Sequence, residues 1–403
     1  MSAAPARRGQ VAIAALFCSL GFQYATWASR IPALKTELGL TAAEVGVLLM
    51  AAGVGASVSF PLVAVLMRRM GSRRLALASL CGLTLLLPAL AAAPGYPTAL
   101  LVLCADGVLV GCLNTAMNAQ GAALENAYRR TAMARLHATF SGGSLLAAAL
   151  ASGVTALTPS VTAHFAVAAV VLALLAACAR TGLLRQEDGT APQEEAPDGR
   201  GRGPEKRRRR WVLPSRTTYW MCGAMVFGTV TEGAMNDWSS LYLKDVAHAS
   251  AQLAPAGIAV VSGMMVIARL FADHWRDRWG DRHVVLLGSA LAGVGLLLAL
   301  AAGGVVPALL GFACVGLGIA AVTPCVYVAA AEQGSDSLTV VAAMGTTGLL
   351  AGPPLIGFVA NGSSLAWGMA LVAVSALLVS ACGTRIRWRP VERSASPETA
   401  SAA

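Results

Sequence analysis

Charged side chains are scarce in this sequence, and aromatic side chains are scarcer. Only 12% of the 403 residues are charged and 6% are aromatic, whereas 56% are hydrophobic. Because soluble domains carry roughly 25% charged residues, this composition excludes an ordinary soluble protein. No charged residue occurs from Val284 to Ala331 or from Ser337 to Thr384. Each of these runs is long enough for two membrane-spanning helices of about 20 residues.

The short motifs that carry enzyme chemistry are also missing. The sequence contains no nucleophile elbow, no phosphate-binding loop and no His/Cys cluster with metal-ligand spacing. Its nine cysteines all lie in apolar segments, and none forms a CxxC pair. We therefore expect no disulfide, no metal site and no cofactor. An enzyme and a pump driven by nucleotide hydrolysis are both disfavoured.

Apolar segments recur along the whole chain and predict an all-α membrane protein with twelve transmembrane helices. The predicted spans cover residues 11–29, 44–66, 75–93, 98–124, 133–155, 163–179, 217–243, 253–274, 284–302, 306–331, 338–360 and 364–384.

Basic residues are distributed unevenly over the connections between these spans. Of the 30 Lys and Arg residues, only Arg30, Lys35 and Lys244 lie on the side opposite the termini. The positive-inside rule then places both termini in the cytoplasm of a bacterial inner-membrane protein. We expect the basic loops to contact anionic lipid and not nucleic acid.

Residues 181–216 interrupt the apolar pattern with a segment rich in Gly, Pro, Glu and Arg. Such a composition predicts a disordered, basic cytoplasmic linker. It divides the chain into a six-helix half at 1–180 and a second at 217–385, followed by a cytoplasmic tail at 386–403.

The two halves repeat each other weakly. Glu125 follows Gly111 at the same spacing at which Glu332 follows Gly318. Repeated halves joined by a linker are typical of secondary transporters that rock around a site between them.

A loop between the second and third span of each half carries a more specific signal. Residues Asp277 to Arg282 read DRWGDR, and Arg68 to Arg74 read RRMGSRR, which lacks the acidic residue. In these loops the chain resembles the major facilitator superfamily. The resemblance implies two pseudo-symmetric six-helix halves, with spans 1, 4, 7 and 10 around a central cavity.

Three further stretches resemble a narrower group. Residues Ala25–Leu40, Asn114–Ser144 and Glu232–Leu243 are similar to the YbjJ branch of bacterial inner-membrane proteins. That branch is itself loosely similar to fucose permease.

Polar side chains recur at helical spacing on the spans that the resemblance places around the cavity. Polar groups are costly in hydrocarbon, so they should face the bundle interior. Hydrogen bonding between packed helices is the alternative explanation. The predicted solute ligands are Gln23, Trp27, Asn114, Asn118, Asn236 and Tyr327.

Glu232 is the predicted proton-coupling carboxylate. It lies near the middle of span 7, and no basic residue of that span neutralises it. Burial without a cationic partner favours the protonated acid, which would allow proton exchange as the site opens to each side. A permanently protonated, hydrogen-bonded Glu232 is the alternative. Asp106 is the second candidate, and Asp237 is expected to be hydrated or bound to span 1.

The loop charges predict gates at the cytoplasmic ends of the helices. Glu125 is expected to pair with Arg73 or Arg74, and in the second half Glu332 is expected to pair with Arg278 or Arg282. Asp277 belongs to the same loop. The alternative is that each Glu is a solvated helix-end charge.

These observations favour a monomeric, proton-coupled symporter of a small polar organic solute, and a sugar-like solute is preferred. Efflux of amphipathic compounds is the alternative, although aromatic residues are few. A non-transporting membrane sensor is less favoured, because no soluble domain accompanies the spans.

Overall fold

The computed structural model describes residues 3–128, 132–184 and 215–388, and these residues form helices without strands. The predicted linker lies outside the described residues from 185 to 214, as does the tail from 389 onward. The helices are α1 (Ala3–Ala28), α2 (Ile31–Glu37), α3 (Ala42–Ala91), α4 (Tyr96–Tyr128), α5 (Met133–Leu157), α6 (Val161–Arg180), α7 (Arg216–Asp245), α8 (Ala256–Ala302), α9 (Val305–Ile319), α10 (Val322–Glu332), α11 (Ser335–Gly362) and α12 (Leu365–Gly383).

Two of these helices each contain two spans. Helix α3 has 50 residues and bends at Gly71 (φ 72°), and α8 has 47 residues and bends at Gly280 (φ 77°). Positive φ is accessible to glycine at little cost, so a glycine in each signature loop reverses the chain between two spans. Helices α9 and α10 together form one span, and α2 is a short connecting helix. The described chain therefore has the twelve predicted spans in two six-helix halves.

Helix α7 is the least apolar of the spanning helices. Nine helical stretches of the described chain are long and apolar enough to cross a membrane, and α7 is not among them. It carries Glu232, Asn236 and Asp237, yet most of its residues are buried in the bundle. Polar side chains on a buried helix indicate a span that faces protein and not lipid.

Close helix contacts show how the halves correspond. A Cβ on Gly107 would overlap the carbonyl oxygen of Ala52, and one on Gly316 would lie 2.6 Å from that of Val261. Val261 follows Ala52, and Gly316 follows Gly107, by the same number of residues by which Gly280 follows Gly71. Gly318 follows Gly111 by two residues fewer than this. The predicted repeat, which aligned Gly111 with Gly318, was therefore wrong by two residues. Packing against neighbouring helices, not sequence similarity, establishes the register.

The halves meet along α3 with α11 and along α5 with α8. We call the end of the bundle that holds the α1–α2 and α7–α8 connections the far end, and the opposite end the linker end. At the far end, Lys35 Nζ lies 2.5 Å from Asp245 Oδ2 across the halves. A Cβ on Gly46 of α3 would lie 2.9 Å from the Pro353 carbonyl oxygen of α11. The halves are therefore closely packed at the far end.

Candidate functional site

Gln23 and Asp106, predicted separately as a solute ligand and a proton site, bind each other. Gln23 Nε2 donates to Asp106 Oδ1 at 2.5 Å, linking α1 to α4 within the first half. Both residues are buried, and Gln23 Oε1 has no hydrogen-bond partner. In this conformation Gln23 is a ligand of Asp106 and is not exposed to solute.

Asp237 accepts a hydrogen bond from the Tyr24 hydroxyl, which joins α7 of the second half to α1 of the first. Of the two predicted environments for Asp237, binding to span 1 is the one observed. The sequence reasoning missed Tyr24. Tyr24 could have been predicted from its position next to Gln23. Consecutive residues on one helix point in different directions, so one can bind a partner in the first half and the other a partner in the second half.

Glu232 has a cationic partner, so the expectation that nothing neutralises it was wrong. Arg269 Nη2 lies 3.2 Å from Glu232 Oε1, and its Nη1 donates to Ser141 Oγ at 2.5 Å. Arg269 comes from α8 and Ser141 from α5 of the other half. The sequence reasoning counted Arg269 with the basic loop, although it lies inside the predicted span 253–274.

In the cluster formed by Glu232, Arg269 and Ser141, Glu232 lies near the middle of α7 and Ser141 lies in the N-terminal half of α5. The Arg269 and Glu232 side chains are 26% and 27% exposed. A partly exposed ion pair can exchange partners with water or a solute, whereas a sealed pair cannot do so without opening. The cluster therefore combines a carboxylate, a guanidinium and a hydroxyl at the boundary between the halves.

The other predicted solute ligands divide into two groups. Asn114 is exposed, and its Oδ1 accepts a hydrogen bond from Asn118 Nδ2 at 3.1 Å. Asn236 Nδ2 donates to the Glu232 backbone oxygen at 3.1 Å, and Tyr327 is half-buried. Trp27, by contrast, is 2% exposed. Four predicted ligands thus retain exposed surface, while Trp27, like Gln23, is enclosed.

Trp27 is held edge-on against Tyr24, with ring centroids 5.1 Å apart. Its indole Nε1 has no hydrogen-bond partner in the described structure. A buried aromatic pair of this kind packs α1 and leaves no ring face free for a solute.

The predicted gate residues of the first half have other partners in this conformation. Glu125 Oε1 accepts from the backbone N–H groups of Ala132 and Met133, at 2.6 and 2.9 Å, and so caps the start of α5. Arg73 Nη2 donates to the Arg180 carbonyl oxygen at 3.1 Å. The structure therefore does not bring Glu125 and Arg73 together. The hydrogen bonds of Glu125 and Arg73 both use backbone groups at helix ends, which lack partners within their own helix.

In the second half, the signature loop contains an ion pair that was not predicted. Arg276 Nε lies 2.7 Å from Asp281 Oδ1. Asp277, Arg278 and Arg282 are exposed, as is Glu332 at the end of α10. Pairing of Glu332 with Arg278 or Arg282 stays a prediction.

Gln120 performs a further structural role that the sequence did not reveal. Its Nε2 donates to Ser72 Oγ at 2.8 Å, and its Oε1 accepts from the Leu184 N–H at 2.9 Å. One amide on α4 thereby holds both the first signature loop and the residues that lead into the linker.

This architecture, with a polar cluster between two six-helix halves, is that of a membrane transporter. The sequence pattern of the Major Facilitator Superfamily matches residues 12–339 and 265–402. The chain belongs to the major facilitator superfamily and is a multi-pass membrane protein.

Similar proteins agree with this assignment. An uncharacterized MFS-type transporter of Yersinia pestis is 31% identical over 382 residues, which cover 92% of this chain and 94% of that protein. Membrane protein MosC of Rhizobium meliloti is 31% identical over 396 residues, covering 96% of this chain and 91% of that protein.

Solved structures share the fold at lower identity. The nucleoside transporter NupG matches with a TM-score of 0.71 and 16% identity, covering 94% of this chain and 99% of that one. A D-xylose-proton symporter matches with a TM-score of 0.71 and 14% identity, covering 96% and 99%.

Proposed function

We propose that this transporter moves a small polar organic solute together with protons, by alternating access, and is not an enzyme. The observation that carries the proposal is the cluster of Glu232, Arg269 and Ser141. It places a titratable carboxylate where three helices from both halves meet. Protonation of Glu232 would remove its attraction for Arg269, and Arg269 also binds the opposite half. A proton can thereby alter the contact between the halves.

A sugar-like solute is the class that this site suits best. Hydroxyl groups both donate and accept, and the cluster presents donors on Arg269 and acceptors on Glu232, while α4 carries the amides of Asn114 and Asn118. The fold neighbours with printed solutes are a nucleoside transporter and a D-xylose-proton symporter, and both of these solutes carry several hydroxyls. Of the two aromatic residues predicted as ligands, Trp27 is enclosed and Tyr327 is half-buried, which disfavours efflux of amphipathic compounds.

A stability screen of the purified protein tests the solute class. Ligands that bind the folded state raise its Tm, by an amount that grows with concentration. Sugars and nucleosides are expected to raise Tm, with amino acids and hydrophobic cationic dyes as comparison sets. A rise with the dyes, and none with any sugar or nucleoside, would instead favour the efflux alternative.

We further propose that both termini and the segment 181–216 are cytoplasmic in the bacterial inner membrane, where the basic loops contact anionic lipid and the protein acts as a monomer. The asymmetry of basic residues supports this orientation. A single cysteine introduced at Thr190, in a background without the native cysteines, is expected to react with an impermeant maleimide only after cells are permeabilised. Placed at Ser250 of the far end, the same probe should react in intact cells. The reverse pattern would contradict the orientation.

The predicted gate pairs are proposed for the conformation in which the linker end closes. Glu125→Gln removes a charge that would attract Arg73 or Arg74, so accessibility of the site from the linker end should increase. Glu332→Gln should act in the same direction, since it removes the corresponding charge of the second half. The measurement is the rate at which a cysteine at Asn118 reacts from each side. Unchanged rates in both variants would exclude a gating role.

A further inference from the structure

A cavity lies at the far end, away from the cluster of Glu232, Arg269 and Ser141. It has a volume of about 250 Å³ and is formed by the α1–α2 connection, the α5–α6 connection and the residues around the α7–α8 connection. Both halves therefore contribute to its walls. The residues that line it are Ser29, Arg30, Pro32, Ala33, Thr36, Glu37, Thr155, Pro159, Lys244, Ala251 and Ala254.

Arg30 gives this cavity its chemical character. The residue is only 4% exposed, so its guanidinium is not an interfacial group whose charge reaches water. Its Nη1 donates to Thr155 Oγ1 and its Nη2 to the Pro159 carbonyl oxygen, and both of these acceptors are neutral. Its Nε has no partner. No carboxylate of the described residues forms an ion pair with Arg30.

A buried guanidinium without an ion-pair partner is costly, which is why buried cations normally meet an anion. The cavity lining adds a second cation, Lys244, and one acid, Glu37. Its formal charge is therefore positive by one unit. A single negative charge on a bound molecule would balance it, whereas a doubly charged anion would leave the cavity with a net negative charge.

We propose that the far-end cavity binds a small organic monocarboxylate through Arg30 and Lys244. A guanidinium has five N–H donors and two of those on Arg30 are engaged, which leaves three for a carboxylate, its best-matched planar partner. The methyl groups of Ala33, Ala251 and Ala254 suit a short organic body. The volume lies below the roughly 300–1,000 Å³ of sites for drug-sized ligands, so the ligand is small.

Binding at this cavity has a consequence for the cycle. Arg30 belongs to the first half and Lys244 to the second, and the Lys35–Asp245 pair joins the halves at the same end. A carboxylate held by both cations adds a further contact between the halves. It therefore favours the conformation closed at the far end, whatever solute the central site carries.

Thermal unfolding of the purified full-length protein at pH 7.5 tests the site. The probes are sodium propionate, sodium chloride at equal ionic strength and neutral propionamide. Propionate is expected to raise Tm saturably, by about 1–2 °C at tenfold excess over its Kd. Chloride and propionamide are expected to give no saturable rise. Equal effects of propionamide or chloride would overturn the carboxylate site, as would no response to propionate.

Variants separate binding from a purely structural role of Arg30. Arg30→Gln is expected to weaken propionate binding at least about tenfold, and Lys244→Gln about two- to fivefold. Arg7→Gln removes an exposed cation near the N-terminus that does not line the cavity, so it is the control for loss of a positive charge and should keep the wild-type affinity. If Arg30→Gln does not fold, the propionate affinity of Lys244→Gln tests the proposal instead. Unchanged propionate affinity in Lys244→Gln would overturn the proposal.

Discussion

Replacement of Glu232 by glutamine is expected to abolish solute accumulation driven by a pH gradient, while exchange of solute across the membrane persists. Glutamine keeps the size and an acceptor oxygen but carries no proton that can be released. The measurement is uptake of the solute identified by the stability screen into reconstituted vesicles, with and without a pH gradient. Loss of accumulation should be at least tenfold, because Glu232 is the one carboxylate among the three residues of the cluster.

The Arg269 partner makes the test more specific. Arg269→Gln removes both the counter-charge of Glu232 and the bond to Ser141, so accumulation should fall strongly in this variant as well. If the two residues act as a unit, the double variant should be no worse than Glu232→Gln alone. Asp336→Asn removes an exposed carboxylate at the start of α11, away from both the cluster and the far-end cavity, so it is the control and should accumulate solute normally.

Full gradient-driven accumulation by Glu232→Gln would place the proton site elsewhere. Asp106 would then be the next candidate, because it is buried and accepts one bond from Gln23. Asp106→Asn would be measured in the same vesicles. Asp237 would follow it, with Tyr24→Phe as the variant that removes its partner while preserving the ring.

Gly107→Ala is expected to cause a large loss of folded protein, although it adds a single methyl group. The added Cβ would overlap the carbonyl oxygen of Ala52, which is backbone on the facing helix α3 and cannot move away as a side chain would. Overpacking of this kind costs about 1–3 kcal/mol or more. We expect a Tm several degrees below that of the wild type and a reduced yield of monodisperse protein.

Gly153→Ala is the matched control for that substitution. Gly153 also lies within a helix, α5, but a Cβ there would meet nothing within 4 Å. Alanine should therefore stabilise this helix by about 0.5–1 kcal/mol through its higher helix propensity. Equal Tm values for the two variants would show that close approach of α3 and α4 does not limit stability.

The sequence by itself determined the class of protein, the number of spans and the division into halves. These properties depend on quantities that are local along the chain: apolar length against membrane thickness, and loop charge. The signature loops likewise marked Gly71 and Gly280, where the chain turns between spans with positive φ. Polar residues marked span 7, which carries Glu232, but the sequence reasoning did not predict the partners Ser141 on span 5 and Arg269 on span 8.

Only the tertiary structure decided which side chains meet. Glu232 is paired because α8 places Arg269 beside it, Gln23 is withdrawn from solute because it binds Asp106, and Glu125 caps a helix instead of meeting Arg73. The repeat register was also misplaced by two residues until helix contacts established it. Each of these outcomes depends on the rotation and depth at which two helices pack. Many packing arrangements of two helices bury the same apolar surface, so composition and periodicity do not determine the rotation and depth of each helix. The side chains that interlock in the folded bundle determine them.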